Sequence, residues 1–181
     1  MRKAGIAARD ALSPEERVHF SKSIVRRILE SEEFQSAETI LIYRAVRGEV
    51  RLEALEEAAE KRLLYPLCIS KTEMIALQPQ KGEDGRKKGA FGIPEPVREL
   101  SLEIPPEKID LVICPCTVFD EACGRMGMGA GYYDRYLKKC VNAHIVSAAF
   151  EVQKADCIEM QPWDQPMEKV FTEAAVYTAK K

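Results

Sequence analysis

The stretch IDLVICPCTVFDEACGRMGMGAGYYDRYL, Ile109 to Leu137, decides how the chain is read. It opens on a continuous apolar run, IDLVICP, of the kind a strand buried on both faces requires. It closes on YYDRYL, which reads as a helix beginning near Tyr132 or Tyr133. Between the two, Gly124, Gly127, Gly129 and Gly131 punctuate the chain. Glycine admits positive φ and lets backbone approach an anion closely. A glycine loop at a helix N-terminus can aim several N–H groups at one phosphate, helped by the helix dipole. Arg125 adds a forked guanidinium suited to phosphate oxygens. Asp134 falls in the first helical turn, where a carboxylate is favourable and can also hold a divalent ion. These parts describe a nucleotide-triphosphate site with a metal, and equally a flexible loop ending in a helix cap. The spacing is neither the GxxxxGK[ST] P-loop nor GxGxxG.

Outward from this stretch the elements alternate. Ser13, Pro14 and Glu16 form a capping-box signature, followed by Phe20, Ile24, Ile28 and Leu29 at helical spacing. The segment before Ser13 reads as a short helix with Arg2, Lys3 and Arg9 exposed. TILIYR (39–44), LLYPL (63–67), EMIALQP (73–79), HIVSAAF (144–150) and VFTEAAVY (170–177) read as strands, and RLEALEEAAEKR (51–62) as a helix. KGEDGRKKGAFGIPEP (81–96) is punctuated by Gly and Pro and reads as a long loop of the kind that often carries function. Strands alternating with helices predict an α/β, single-domain, three-layer fold over residues 1–181, with a mainly parallel central sheet flanked by helices.

Composition agrees. At 181 residues, 46 % apolar and 31 % charged, the chain can bury a core and stay soluble. A net charge of −2 gives no global basic field for nucleic acid. No apolar run nears the ~20 residues a membrane span needs. The charged start, MRKAGIAARDALSPEER, lacks a signal-peptide core, so a cytoplasmic protein is expected, as is a monomer. The six cysteines, Cys68, Cys114, Cys116, Cys123, Cys140 and Cys157, form no CxxC pair and read as structural rather than as metal ligands or nucleophiles, with Cys114 and Cys116 in an apolar run where cysteine acts as a small buried hydrophobe.

RMGMGAGYYDRYL resembles the RLGxGxGYYDRxL signature of 5-formyltetrahydrofolate cyclo-ligases, also called 5,10-methenyltetrahydrofolate synthetases. Other segments match in the same order. ILIYRAVRGEV resembles the family's strand and Gly-Glu-Val, KGAFGIPEP its GxFGIxEP loop, and IDLVICPCTVFDEACG its DLVIVPGxAFDxxG segment. AAFEVQ and KVFTEAAV resemble its closing segments.

The resemblance implies ATP- and Mg2+-dependent closure of 5-formyltetrahydrofolate to the 5,10-methenyl compound. ATP would phosphorylate the formyl oxygen, N10 would attack, and phosphate would leave. It also implies residue roles. Arg125, Tyr132 and Asp134 fall on catalytic positions. Arg2, Lys3 and the run Arg125, Met126, Gly127, Met128, Gly129, Ala130, Gly131, Tyr132 and Tyr133 fall on ATP. Arg44, Glu49 and Phe91 fall on the folate, together with Met128, Gly129, Ala130, Gly131 and Tyr132. Asp134 and Asp164 are implied metal ligands. Glu49 would accept hydrogen bonds from pterin N–H groups, and Phe91 either stacks on a ligand ring or covers the core.

Three departures from the family pattern stand out. Cys116 and Ala130 occupy positions where the family has Gly, and an alanine methyl restricts positive φ. A family lysine before Arg2 has no counterpart in this sequence, which predicts a weaker grip on ATP. Two other functions keep the same residues: phosphotransfer to another small substrate on the same fold, and folate binding without turnover.

Overall fold

The computed structural model describes residues 1–57, 60–80, 86–88 and 94–180. Three helices come first: α1 (Arg2–Asp10), α2 (Pro14–Leu29) and α3 (Glu32–Ser36). The capping box forms as the sequence predicts. Ser13 Oγ accepts from Glu16 N at 3.1 Å, and Glu16 Oε2 accepts from Ser13 N at 2.8 Å.

The strands and remaining helices then follow. They are β1 (Thr39–Leu41), α4 (Ala54–Glu57), β2 (Arg62–Cys68), β3 (Met74–Pro79), β4 (Arg86–Lys88), β5 (Pro94–Pro96), β6 (Ser101–Ile104), β7 (Leu111–Pro115), β8 (Val118–Phe119), β9 (Arg125–Met126), α5 (Tyr132–Leu137), β10 (His144–Ala148), β11 (Lys169–Phe171) and β12 (Val176–Thr178).

Eight strands form one mixed sheet in the order β12-β11-β10-β7-β1-β2-β3-β6. The run β11, β10, β7, β1, β2 is parallel throughout, and β12, β3 and β6 add antiparallel at the edges. Burial explains why. In β1, Ile40 joins a cluster with Ile24, Ile28 and Phe34 of α2 and α3, whereas Leu41 joins a cluster with Tyr136 and Leu137 of α5. In β7, Leu111 and Ile113 face the first cluster and Val112 and Cys114 the second. A strand with apolar residues in both directions must be covered on both faces, which makes the molecule three layers deep. The Asp110 carboxylate stitches β7 to β1 by accepting from Glu38 N (3.0 Å) and Thr39 N (2.8 Å).

Several expectations need correction. The helix expected over 51–62 is helical only at Ala54–Glu57 among the described residues, and β2 already begins at Arg62. Within the expected loop 81–96, Arg86–Lys88 and Pro94–Pro96 pair as an antiparallel hairpin. The strand expected at 170–177 is two strands, because Thr172 bonds back to Ala175 and turns the chain between β11 and β12. Arg9, expected on the surface, is 1 % exposed. None of the helices among the described residues is long and apolar enough to cross a membrane.

Because β2 and β7 lie on opposite sides of β1, the chain switches direction there, and doubly wound sheets hold ligands outside the carboxyl ends of strands at such a point. α1 covers one side of that crevice. Its Gly5 is the contact point, since a Cβ there would lie 2.4 Å from the Thr117 carbonyl oxygen and 2.5 Å from Val118 Cγ2. Gly5→Ala is therefore expected to lift α1 and cost about 1–3 kcal/mol of stability. Urea unfolding together with limited proteolysis of the α1–α2 junction tests this, and an unchanged midpoint with unchanged cleavage contradicts the close docking.

Candidate active site

A cleft of about 1170 Å³ occupies the crevice. Tyr43 and Arg44 enter it after β1, Tyr65 and Cys68 from β2, and Cys116 and Thr117 after β7. The glycine loop from Arg125 to Asp134 forms one wall, and Gln161, Trp163 and Asp164 also line it. Arg2 reaches the cleft from α1, whereas Lys3 is exposed and is not one of the lining residues. Phe91 lies outside the described residues.

The loop is held by an ion pair at its two ends. Arg125 Nη2 donates to Asp134 Oδ1 at 2.6 Å, with the arginine side chain 2 % exposed. The pair joins β9 to the first turn of α5. Arg125 Nε is buried and has no hydrogen-bond partner. The intervening chain turns through two left-handed glycines, Gly129 (φ +102°) and Gly131 (φ +67°). Ala130, between them, is not in the left-handed region, so its methyl is compatible with the loop despite the departure from the family's glycine.

Two arginines brace the loop from outside. Arg2 Nε donates to the Gly127 carbonyl at 2.7 Å. Arg135 Nη2 donates to the Ala130 carbonyl at 2.8 Å, and its Nε to the Thr72 carbonyl at 2.8 Å, tying the loop to the β2–β3 turn. The Tyr132 hydroxyl makes a parallel tie to the Ser70 carbonyl at 2.8 Å, so that hydroxyl is engaged while the residue lines the cleft. Met126, Gly127 and Met128 complete the wall, with Met128 exposed toward the opening.

At the far end, Glu49 is 8 % exposed. It closes a turn in which Glu49 N donates to the Val46 carbonyl at 3.0 Å and the two central residues, Arg47 (φ +46°) and Gly48 (φ +81°), are left-handed, as in a type I′ turn. Glu49 Oε2 accepts from Val46 N at 3.1 Å. Burial pushes the Glu49 carboxyl up to about 6, against the lowering effects of the Val46 N–H, Arg9 and Arg47. Arg44 pairs with Glu56 at 2.6 Å and lies 4.7 Å over the Tyr65 ring. Between the two ends the hydroxyls of Tyr43 and Tyr133 are buried without hydrogen-bond partners. Desolvation raises both well above the usual phenol value, so both are neutral phenols in residues of the cleft wall.

Asp134 and Asp164 both line the cleft, and Asp164 Oδ2 accepts from Gln161 N at 2.8 Å. Among the described residues no three or more His, Cys, Asp or Glu side chains converge on a metal position. The residues present therefore do not fit a metal caged by protein alone. They do fit a Mg2+ that arrives on phosphate oxygens and takes one or two carboxylates. Cys114 and Cys116 are buried, and burial pushes both thiols up to about 12, so neither is a thiolate near neutrality.

Sequence reasoning missed four supports. Asp120 is 4 % exposed and accepts from Ala122 N (3.1 Å), Gly124 N (2.8 Å) and Ile158 N (2.7 Å), which fixes the turn before Arg125. Gln153 donates to the carbonyls of Cys116 (2.9 Å) and Thr117 (3.0 Å), fixing the cleft floor. Arg135 braces the loop as described, and Arg9 lies behind Glu49. The FDEACG segment carried a readable Asx-turn signal for Asp120. Arg135 and Gln153 lie in YYDR and AAFEVQ, segments that carried the resemblance but gave neither residue a role, and for Arg9 no local signal exists.

The chain matches the profile of the 5-formyltetrahydrofolate cyclo-ligase family over residues 1–173. It is 28 % identical to the 5-formyltetrahydrofolate cyclo-ligase of Haemophilus influenzae over 152 residues, 81 % of each chain. It is 26 % identical to that of Escherichia coli K12 over 178 residues, 93 % of this chain and 96 % of the relative. Among solved structures, the 5,10-methenyltetrahydrofolate synthetase of Aquifex aeolicus superposes with a TM-score of 0.84 at 30 % identity, covering 99 % of this chain and 91 % of the other. That of Mycoplasma pneumoniae gives 0.76 at 25 % identity, covering 95 % and 96 %.

The loop geometry separates neighbouring positions. Gly129→Ala forces a side chain into the left-handed region and is expected to cost about 1–2 kcal/mol. Ala130→Gly is expected to change stability by less than about 1 kcal/mol. Urea unfolding of both variants measures the contrast, and equal effects would contradict the loop conformation.

Proposed function

The chain belongs to the 5-formyltetrahydrofolate cyclo-ligase family, and we propose that it closes 5-formyltetrahydrofolate to 5,10-methenyltetrahydrofolate at the expense of ATP. The observation that carries this reading is the Arg125–Asp134 pair. A guanidinium pinned at 2.6 Å on one side, with its Nε unpartnered, borders a glycine loop in a cleft large enough for two substrates. A pinned fork of this kind suits the equatorial oxygens of a phosphoryl group in transfer.

In this reading ATP lies along the glycine loop, with Arg2 and Arg125 on its phosphates. The folate ring meets Glu49, whose carboxylate accepts from the pterin N–H groups, while Arg44 and Tyr65 border the same end. The formyl oxygen attacks the γ-phosphorus, an O–P bond forms, and ADP leaves. N10 then attacks the activated formyl carbon and gives up its proton, the C–O bond breaks, and phosphate departs. Holding N10 against that carbon is worth up to about 7–11 kcal/mol of proximity. Tyr132 acts as a strap that keeps the loop on the β2–β3 turn, and Tyr133 supplies a neutral donor beside Arg125. When bound, Mg2+ supplies charge neutralisation on the triphosphate, and Asp134 and Asp164 are the residues that would hold it. The buried, protonated cysteines have no part in the chemistry.

The direct test is to incubate the purified protein with 5-formyltetrahydrofolate and Mg-ATP and follow the methenyl chromophore. Expected are one ADP per folate and dependence on both nucleotide and divalent metal; closure at full rate in EDTA without nucleotide overturns the mechanism. Asp134→Asn releases Arg125 and is expected to lower kcat on the order of a hundredfold and, because a buried guanidinium loses its counter-charge, to lower the thermal midpoint as well. Glu49→Gln should raise the folate KM on the order of tenfold, about 1.4 kcal/mol, and leave the ATP KM in place. Cys116→Ala should keep most of its turnover, and loss of activity in the folded variant would reveal a nucleophile that this mechanism does not contain.

A further inference from the structure

Arg9 has no place in the mechanism above, yet it is 1 % exposed. Its Nε and Nη1 have no hydrogen-bond partner. Its nearest acidic groups are the exposed Asp10, at 3.8 Å from Nε, and the buried Glu49, whose Oε1 is 4.0 Å from Nη1. An unsatisfied buried guanidinium costs stability, and a hydrophobic side chain of similar volume would often serve the fold as well or better. A stability role therefore does not account for it. What it does have is position: α1 brings it behind the carboxylate, on the side away from the Val46 N–H that binds Oε2.

Among the described residues, the charged and titratable groups around Glu49 come from several elements. Arg9 and Asp10 come from α1. Arg17 comes from α2, where a Cβ on Gly48 would lie 3.0 Å from its Nη1. Arg47 is on the turn itself. Tyr43 follows β1, Cys116 follows β7 and Tyr133 begins α5. Burial keeps both phenols and the thiol neutral across the working pH range, so they supply no compensating charge. Of the cations, Arg9 is the one sealed from solvent with Glu49, where screening is weakest.

We propose that Arg9 is a positioning residue for substrate binding: it is the buried counter-charge that holds the Glu49 carboxylate ionised and ready to accept the N–H groups of the folate ring. The proposal rests on the reading of Glu49 as the folate-binding carboxylate. It assigns the base of α1 to the folate end of the cleft, although the helix begins at the nucleotide end.

The sign of the pH dependence follows from burial. Glu49 is pushed up to about 6, so its carboxylate is present above that pH and lost below it. In the wild type the folate KM should rise as pH falls through about 6. Removing an opposite charge at this range moves such a limb upward by about one to two pH units. The Arg9→Met protein should then fold normally, keep its kcat at saturating folate, and show a folate KM at pH 7 raised about two- to tenfold. That KM should return toward the wild-type value by pH 9, with the ATP KM unchanged. Arg9→Lys, which keeps a cation in place, should restore the wild-type limb. Adding Arg9→Met to Glu49→Gln should change the folate KM no further.

A wild-type pH profile in Arg9→Met overturns the proposal, as does a KM rise of equal size at every pH, since that is loss of packing alone. Glu49→Gln separates the two levels. If it leaves the folate KM unchanged, the reading of Glu49 falls and the proposal falls with it. If it raises the folate KM while Arg9→Met behaves as wild type, only the role of Arg9 falls.

Discussion

The ion pair between Arg125 and Asp134 is the contact on which the site is built. A guanidinium 2 % exposed needs a counter-charge, and the one it has lies across the mouth of the glycine loop, at the first turn of α5. Closing that pair fixes where the loop starts and where it ends. Gly129 and Gly131 then supply the left-handed turns that let the chain span the gap. Arg2 from α1 and Arg135 from α5 hold its carbonyls from outside. A loop of this composition would otherwise sample many conformations, and ordering each residue on ligand binding costs roughly 1–2 kcal/mol. Here that ordering is met by folding, before any ligand arrives.

The polar atoms of the cleft are arranged in a way that stability alone does not explain. The hydroxyls of Tyr43 and Tyr133 and the nitrogens Arg125 Nε, Arg9 Nε and Arg9 Nη1 are buried without hydrogen-bond partners. Buried donors are ordinarily satisfied, and each exception carries a penalty. Three of these five atoms belong to Tyr43, Tyr133 and Arg125, which line one cavity, and the other two to Arg9, behind Glu49. Donors left unpaired in the wall of one cleft suit an acceptor-rich occupant.

α1 connects the two ends of this arrangement. Arg2 and Arg9 are seven residues apart, two helical turns, and so share a face. Gly5 lies between them and brings that face against the Thr117 carbonyl at a distance no other residue permits. Gln153 donates to the same Thr117 carbonyl and to that of Cys116. The floor of the cleft is thus held by both α1 and the segment that follows β10.

Much of this was legible in the chain itself, where the signal is local. The capping box at Ser13, the two-faced apolar runs of β1 and β7, and the glycine loop leading into YYDRYL each depend on residues within one or two turns of one another. The same residues carried the family resemblance, and with it Arg2, Glu49 and Asp134 as residues that do enter the cleft. Other features were decided only when distant segments met. VFTEAAVY breaks into two strands because Thr172 bonds Ala175 and the halves pair with each other. The helical reading of 51–62 fails at Arg62 because Arg62, Leu63 and Leu64 pair with Thr39, Ile40 and Leu41. Arg9 looks like any exposed helical arginine in sequence, and it is buried because Gly5 draws α1 onto the Thr117–Val118 segment and the Val46–Glu49 turn closes over it. Propensity and periodicity act over a few residues, whereas burial of a charge is set by whatever the rest of the chain places around it.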